Sequence, residues 1–405
     1  MSTPAYPLSS TRPGAARMAW PAALALAAAM GIGRFAFTPV WPLMAEESGL
    51  SLAQGGWLAS ANYAGYLLGA LAAIVWPIRR LRGALAASLA AVAALTLAMP
   101  LLDSVAGWSL LRLAAGYASA SAFICVAAWR PVPAGDPREA AASAMTYAGV
   151  GAGIALTGLA CLALMAWNIG ADRTWLALGA LALALSLAAW PGLSRQAPPA
   201  RLPSAAAPAA KLPRGIGGLA LHYGVFGVGY IIPATFLPAM AKEIFPDPAI
   251  FGWAWPLFGL AAALSCLLVP RLARGRDDRQ VWRGAQVLMA AGMLTVAGWH
   301  HIAGVILAAL LVGGTFMVIT QAGMLTARRL AGAAAPRAAA VMTAAFAAGQ
   351  ILGPLLASLA AHWGAGLPDV LAASAALLAL SAWRLGKVTT DRDGAGHNAS
   401  DPRGR

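Results

Sequence analysis

Twelve long stretches of apolar residues, separated by short polar or charged segments, follow one another along the chain. An α-helix needs about 20 apolar residues to cross the hydrocarbon core of a membrane. The stretches are near that length, and they far exceed the roughly ten-residue alternating segments of a transmembrane β-barrel. The pattern therefore predicts an all-α membrane protein with twelve transmembrane helices. The predicted spans are Met18–Met44, Leu52–Ile78, Gly83–Leu102, Val105–Trp129, Ala140–Met165, Thr174–Leu193, Gly215–Ala241, Ile250–Val269, Val281–Ala297, Gly304–Ala327, Ala338–Ala361 and Pro368–Trp383.

The ninth and tenth spans lie in one uncharged run from Gly284 to Ala327, which is too long for a single crossing. Trp299, His300 and His301 interrupt the apolar pattern near its middle. We place the break between the two helices at these three residues.

Short motifs recur at one shared offset of 196 residues, which indicates an internal repeat. The matched pairs are Gly31-Ile32-Gly33 with Gly227-Val228-Gly229, Pro42 with Pro238, and Gly56-Trp57 with Gly252-Trp253. Because six spans separate the members of each pair, the two copies have parallel orientation. We expect an N-terminal tail at 1–17, a six-helix half at 18–193, a linker at 194–214, a second six-helix half at 215–385 and a C-terminal tail at 386–405.

The composition excludes a water-soluble enzyme or a nucleic-acid-binding domain. Hydrophobic residues make up 60% of the chain and charged residues only 10%, whereas soluble proteins carry about 25% charged residues. The net charge of +14 is explained by topology, because the Lys and Arg side chains fall in the tails, the linker and alternate loops. The exceptions are Arg34, Arg112, Arg173 and Lys242. This positive-inside distribution places both termini in the cytoplasm and is expected for a bacterial inner (plasma) membrane protein.

Arg34 and Arg112 are the charged residues that fall well inside predicted spans. A charge at the middle of a membrane helix costs at least about 2.5 to 3.5 kcal/mol, so both arginines are candidates for substrate binding or gating. The alternatives are structural. Arg34 would then satisfy helix-end carbonyls or Asn62, and Arg112 would extend to the membrane surface or pair with Asp103.

The predicted spans contain no deep carboxylate that could carry a proton, so proton coupling needs another group. His222 is the candidate, because its ordinary pKa near 6.5 suits physiological protonation. Two other possibilities stay open: a weak-acid substrate brings its own proton, or transport is uncoupled.

Polar and aromatic residues at helical spacing form candidate faces of a substrate cavity, although such stripes also occur in ordinary core packing. The candidates beside the two arginines are Thr38, Asn62, Tyr66, Tyr223, Phe226, Tyr230, Gln321, Thr343, Phe346 and Gln350. Trp253 and Trp255 fall near a span boundary, where we expect them to anchor the chain at the membrane interface. Cys125, Cys161 and Cys266 are interpreted as packing residues, and the sequence predicts neither a metal site nor a cofactor.

Glycines spaced by four residues predict close helix packing. The pairs are Gly65 with Gly69, Gly149 with Gly153, and Gly349 with Gly353.

Four segments resemble the YbfB/YjiJ-like branch of the major facilitator superfamily. They are GIGRFAFTP at 31–39, GGWLASANYAGYLLG at 55–69, GYIIPATFLP at 229–238 and GQILGP at 349–354. The resemblance implies a secondary transporter with the major facilitator fold. Arg112 and Gly116 also resemble the superfamily's Arg-x-x-x-Gly motif, whereas its acidic and basic loop motif after the second helix lacks its Asp here.

These features predict a secondary active transporter of a small organic solute, working by alternating access between the two halves. An anionic carboxylate is the substrate expected from two arginines without a deep carboxylate. The alternatives are efflux of amphipathic compounds and a non-transporting receptor or assembly factor. The partners expected are the lipid bilayer and a small-molecule substrate, with the protein functional as a monomer and not an enzyme.

Overall fold

The computed structural model describes residues 14–78, 80–129, 132, 136–195, 211–244, 252–299 and 301–386, and their regular structure is helical. Most of both tails and of the linker lies outside the described residues. The α-helices are α1 Ala15–Leu26, α2 Phe37–Glu47, α3 Leu52–Val75, α4 Leu81–Leu97, α5 Val105–Ala128, α6 Glu139–Ala166, α7 Ala171–Arg195, α8 Ile216–Ile244, α9 Ala254–Leu272, α10 Asp278–Gly298, α11 Ile302–Ala331, α12 Ala335–His362 and α13 Leu367–Leu385.

Nine helical stretches of the described chain are long and apolar enough to cross a membrane, which confirms an integral membrane protein. Arg17–Glu47 counts as one of these stretches, and so does Ala303–Ala360, which contains α11 and most of α12. The helix α4 is apolar but shorter. The predicted break after the ninth span is confirmed, because α10 ends at Gly298 and α11 begins at Ile302.

The first predicted span lies in one long apolar stretch, Arg17–Glu47, but that stretch is not α-helical throughout. The helix α1 runs into a π-helical segment, Ala27–Ile32, and a turn over residues 33–36 precedes α2. Pro39 lies just after the turn and has no N–H to donate to the carbonyl of Phe35. In the first turn of α2 the missing N–H costs little, since the first N–H groups of a helix have no partner within the helix. The interruption places Arg34 in the turn.

The predicted glycine pairs lie where helices approach most closely. A Cβ atom on Gly65 would lie 1.8 Å from the carbonyl oxygen of Leu113 in α5. The same holds for Gly149 against Ala23 of α1, at 2.1 Å, and for Gly349 against Gly224 of α8, at 2.2 Å. Because glycine has no side chain, the helix backbones come into direct contact at these positions, as is common where helices associate in a membrane.

Two further contacts join helices that are distant in the sequence. The backbones of α6 and α9 meet at Gly151 and Gly259, where a Cβ on Gly259 would lie 2.3 Å from the nitrogen of Ala155. The helix α12 packs against both α3 and α5. Side chains of both α3 and α12 contact Arg34 in the turn.

We expect Gly65→Ala to destabilise the protein, because the new methyl group would force α3 away from α5. Overpacking of this kind costs about 1–3 kcal/mol. The matched control is Gly56→Ala in the same helix, where a Cβ meets nothing within 4 Å. Thermal unfolding in detergent should show a lower melting temperature for Gly65→Ala and an unchanged or higher one for Gly56→Ala. Equal melting temperatures would contradict the packing described for α3 and α5.

Candidate functional site

Arg34 is only 3% exposed, and its guanidinium contacts α3 and α12. Its Nη2 donates a hydrogen bond to Oε1 of Gln350 in α12. Its Cζ lies 3.8 Å from the centroid of the Tyr66 ring and 5.6 Å from that of Tyr63, both in α3. The Phe346 ring of α12 lies 5.8 Å away. The cation is thus held between aromatic faces and one amide oxygen.

The positive charge of Arg34 is not neutralised by the protein part that the structure describes. Ion pairs among the described residues involve Arg138, Arg328 and Arg329, and none of these pairs includes Arg34. Nε and Nη1 of Arg34 have no hydrogen-bond partner among the described residues. Aromatic faces attract a cation, but they do not replace the hydrogen bonds that a buried guanidinium loses with water. Two donor atoms of this buried guanidinium therefore remain without an acceptor in the described structure.

Arg112 has a different role, because it caps the interrupted first span. Its Nη2 donates to the carbonyl oxygen of Arg34 at 3.1 Å, and its Nη1 donates to that of Gly33 at 3.5 Å. Asn62 Nδ2 donates to the carbonyl oxygens of Arg112, at 2.9 Å, and of Gly33, at 3.4 Å. The structural alternative named for Arg34 is therefore filled by other side chains: Arg112 and Asn62 donate to these carbonyls and hold the turn in which Arg34 lies.

The same segment receives two more side-chain donors. Ser119 Oγ donates to the carbonyl oxygen of Ala29 at 2.7 Å, and Thr157 Oγ1 donates to that of Gly31 at 3.2 Å. Arg112 itself is 4% exposed. The alternative in which Arg112 pairs with Asp103 is not observed, since Asp103 is exposed and Arg112 donates to backbone carbonyls.

Four of the predicted aromatic and polar candidates form one cluster beside Arg34. The ring centroids of Phe226 and Phe346 lie 5.0 Å apart, and those of Tyr223 and Phe346 lie 5.4 Å apart. Tyr230 lies 6.0 Å from Phe346. Because Phe346 also faces Arg34, the cluster continues directly from the cation.

Sequence reasoning missed other members of this cluster. Phe316 stacks on Tyr230 at 4.6 Å, and Phe35 packs against Phe316 at 6.0 Å.

Trp255 was expected at the membrane interface, but it is 8% exposed and stacks on Phe258 at 5.6 Å. That expectation was wrong for Trp255. The i, i+3 spacing of Trp255 and Phe258 in the sequence could have indicated that both rings lie on one buried face of the helix.

The remaining predicted residues lie elsewhere. Thr38 is half-buried in the first turn of α2, and Thr343 donates to Ala339 of its own helix at 2.7 Å. Gln321 lines a cavity of about 210 Å³ with Asp278 and other residues of α6, α9, α10 and α11. His222 forms a 2.8 Å hydrogen bond with Ser381, between α8 and α13.

A family model described as "Uncharacterised MFS-type transporter YbfB" matches residues 26–384. The chain belongs to this family. It is therefore an MFS-type transporter and not an enzyme. No curated protein matches the sequence significantly.

This MFS-type transporter is similar in fold to the crystal structure of the human organic anion transporter MFSD10 (TETRAN). The two share 14% sequence identity and a TM-score of 0.72, and the match covers 92% of this chain and all of the human chain. At that identity the likeness concerns the fold.

We expect Ser119→Ala to destabilise the transporter by leaving the carbonyl of Ala29 without its side-chain donor, at a cost of about 1–3 kcal/mol. Arg112→Gln should cost more, because two carbonyls lose their charged donor. Ser121→Ala, at a half-buried position of the same helix, is the control. Denaturation in detergent should rank stability as Ser121→Ala above Ser119→Ala above Arg112→Gln. A neutral Arg112→Gln would contradict the capping role.

Proposed function

We propose that this chain is a secondary active transporter that moves a small organic anion, such as a carboxylate, by alternating access. Twelve spans would form two six-helix halves, residues 18–193 and 215–385, with both termini and the linker in the cytoplasm. The observation that carries the proposal is Arg34. It is a buried cation that hydrogen-bonds one neutral amide oxygen and pairs with no carboxylate in the described structure.

A carboxylate would complete the surroundings of Arg34. A guanidinium binds a carboxylate through two parallel charge-assisted hydrogen bonds, which are about twice as strong as neutral ones. Oε1 of Gln350 carries only the partial charge of an amide, so a substrate carboxylate would compete successfully for Nη2 of Arg34. The adjacent rings of Tyr66 and Phe346 would then face the organic part of the substrate.

The position of Arg34 also suits alternating access. Arg34 lies in the first proposed half, and Gln350 lies in the second. A ligand that binds both residues would therefore contact both halves at once. In alternating-access transporters the substrate site lies at such an interface near the middle of the membrane.

The comparisons support the proposal from two directions. Family membership supports transport in general. The human protein with the similar fold is named an organic anion transporter, which agrees with the anion that Arg34 favours. We propose a bacterial inner membrane location and a functional monomer, as expected from the charge distribution and the fold.

Coupling through His222 is not favoured by its location. His222 bonds to Ser381 between α8 and α13, whereas Arg34 contacts α3 and α12. A weak acid that enters with its own proton, or uncoupled transport, therefore fits the Arg34 site better.

Efflux of amphipathic compounds is the second candidate function, and the aromatic cluster around Phe346 favours it. Such compounds would use the rings and leave Arg34 as a structural residue. The two functions differ in what Arg34 must do, so they can be separated by substitution.

We expect Arg34→Lys to raise the KM for anion uptake roughly tenfold or more, because an ammonium cannot form the two parallel bonds of a guanidinium. Uptake of radiolabelled benzoate, lactate and succinate into proteoliposomes gives the measurement, with protein yield and melting temperature as controls. Unchanged KM for a transported anion would show that Arg34 is purely structural.

Two substitutions of Gln350 keep the test decisive if Arg34→Lys folds poorly. Gln350→Glu supplies an internal carboxylate, so it should raise the melting temperature and abolish anion uptake. Gln350→Leu removes the amide acceptor without adding charge, so it should lower the melting temperature while anions still stabilise the protein. Anion uptake that persists in Gln350→Glu would contradict the proposal.

A further inference from the structure

Four buried aromatic rings form a closed circuit that begins and ends at the guanidinium of Arg34. Its Cζ lies 5.5 Å from the ring centroid of Phe35 and 5.8 Å from that of Phe346. The Phe346 ring lies 6.0 Å from that of Tyr230, which stacks on Phe316 at 4.6 Å. Phe316 closes the circuit, because its ring lies 6.0 Å from that of Phe35. We call these four rings the aromatic circuit.

The aromatic circuit is divided between the two proposed halves. Arg34 and Phe35 lie in the turn of the first span, whereas Tyr230 is in α8, Phe316 in α11 and Phe346 in α12. The charge therefore belongs to the first half, and three of the four rings belong to the second. A ligand that joins the halves here needs an anionic group for Arg34 and an apolar body for the rings.

The contacts within the circuit indicate which apolar body fits best. Centroid distances of 4.6 to 6.0 Å are those of rings in direct contact. When the two halves part, Phe35 separates from Phe316, and their faces meet water. A flat aromatic ring would restore ring contacts with both residues, and such contacts are favourable beyond the area they bury. A saturated ring of similar size would restore the buried area alone.

Tyr230 adds a polar group to the aromatic circuit. Its side chain is fully buried, and its hydroxyl has no hydrogen-bond partner among the described residues. A buried hydroxyl without a partner is costly, and a buried tyrosine usually has one. A hydroxyl group on a ligand ring would supply that partner.

We infer that the substrate is an aromatic carboxylate, whose ring replaces contacts of the aromatic circuit while its carboxylate binds Arg34. A hydroxyl group on the substrate ring would bond to Tyr230. This inference rests on the proposed anion transport and narrows its substrate class. Acetate would engage Arg34 alone, and benzyl alcohol would engage the rings without the charge.

Binding of a matched pair of carboxylates to the wild-type protein is the first test. Benzoate and cyclohexanecarboxylate are nearly equal in size and equally charged at neutral pH, but only benzoate is aromatic. Calorimetric titration in lipid nanodiscs at constant ionic strength gives the Kd of each compound. We expect benzoate to bind at least about fivefold more tightly than cyclohexanecarboxylate. Acetate and benzyl alcohol should each bind roughly tenfold or more weakly than benzoate, because each lacks one of the two contacts.

The variant Phe346→Leu tests whether the aromatic circuit causes this preference. Leucine keeps the site apolar and removes one ring face, so the ratio of the two Kd values should fall at least about twofold. The control is Phe123→Leu in α5, which removes a buried ring that packs on Tyr147 at 6.2 Å. This control should leave the ratio unchanged. A ratio measured within one variant does not depend on how much of the protein is folded.

The variant Tyr230→Phe tests the hydroxyl contact by removing one oxygen atom. In the wild-type protein, the tighter-binding of 3-hydroxybenzoate and 4-hydroxybenzoate should exceed benzoate in affinity by at least about threefold. That advantage should disappear in Tyr230→Phe. It should persist in the control Tyr117→Phe, because Tyr117 is an exposed residue of α5.

The outcomes distinguish this inference from the proposed function on which it rests. Equal affinities for benzoate and cyclohexanecarboxylate would overturn the inference and leave anion transport intact. A hydroxybenzoate advantage that is absent from the wild-type protein, or that survives in Tyr230→Phe, would do the same. If neither carboxylate binds, or if benzyl alcohol binds as tightly as benzoate, both the inference and the proposed anion function fail.

Discussion

The constraint on which the site depends is a guanidinium buried in the middle of a membrane-spanning segment. Arg34 is almost completely enclosed, and it donates a hydrogen bond to the neutral amide of Gln350. A buried cation is costly unless opposite charge or hydrogen bonds compensate it. The surrounding rings of Tyr66 and Phe346 compensate it in part, and the proposed carboxylate substrate would supply the remainder.

The interrupted first span explains how the chain positions this cation. A continuous helix would bond its own carbonyls, whereas the π-helical segment and the turn require side-chain donors. Arg112, Asn62, Ser119 and Thr157 supply them from α3, α5 and α6. Arg112 thus stabilises the backbone of the turn, and Arg34 lies in that turn with its guanidinium buried. The two arginines look alike in the sequence and have different tasks in the structure.

The sequence predicted the membrane character and the helix break at 299–301, because span length and apolar runs are local properties. It also selected Arg34, Tyr66, Phe346 and Gln350 as candidates. It could not pair Arg34 with Gln350, since 316 residues separate them and only packing of α12 on α3 brings them together. Trp255 was misjudged for a related reason: a position at the edge of a span does not show whether its side chain faces lipid, water or another helix.

The central claim is that Arg34 binds the carboxylate of an anionic substrate, and a thermal-shift screen of the wild-type protein tests it most directly. The screen compares carboxylates and other organic anions with cationic and neutral lipophilic compounds of similar size, at constant ionic strength. The account predicts that organic anions raise the melting temperature and that the shift disappears in Arg34→Lys. Stabilisation by cationic or neutral lipophilic compounds alone would contradict it.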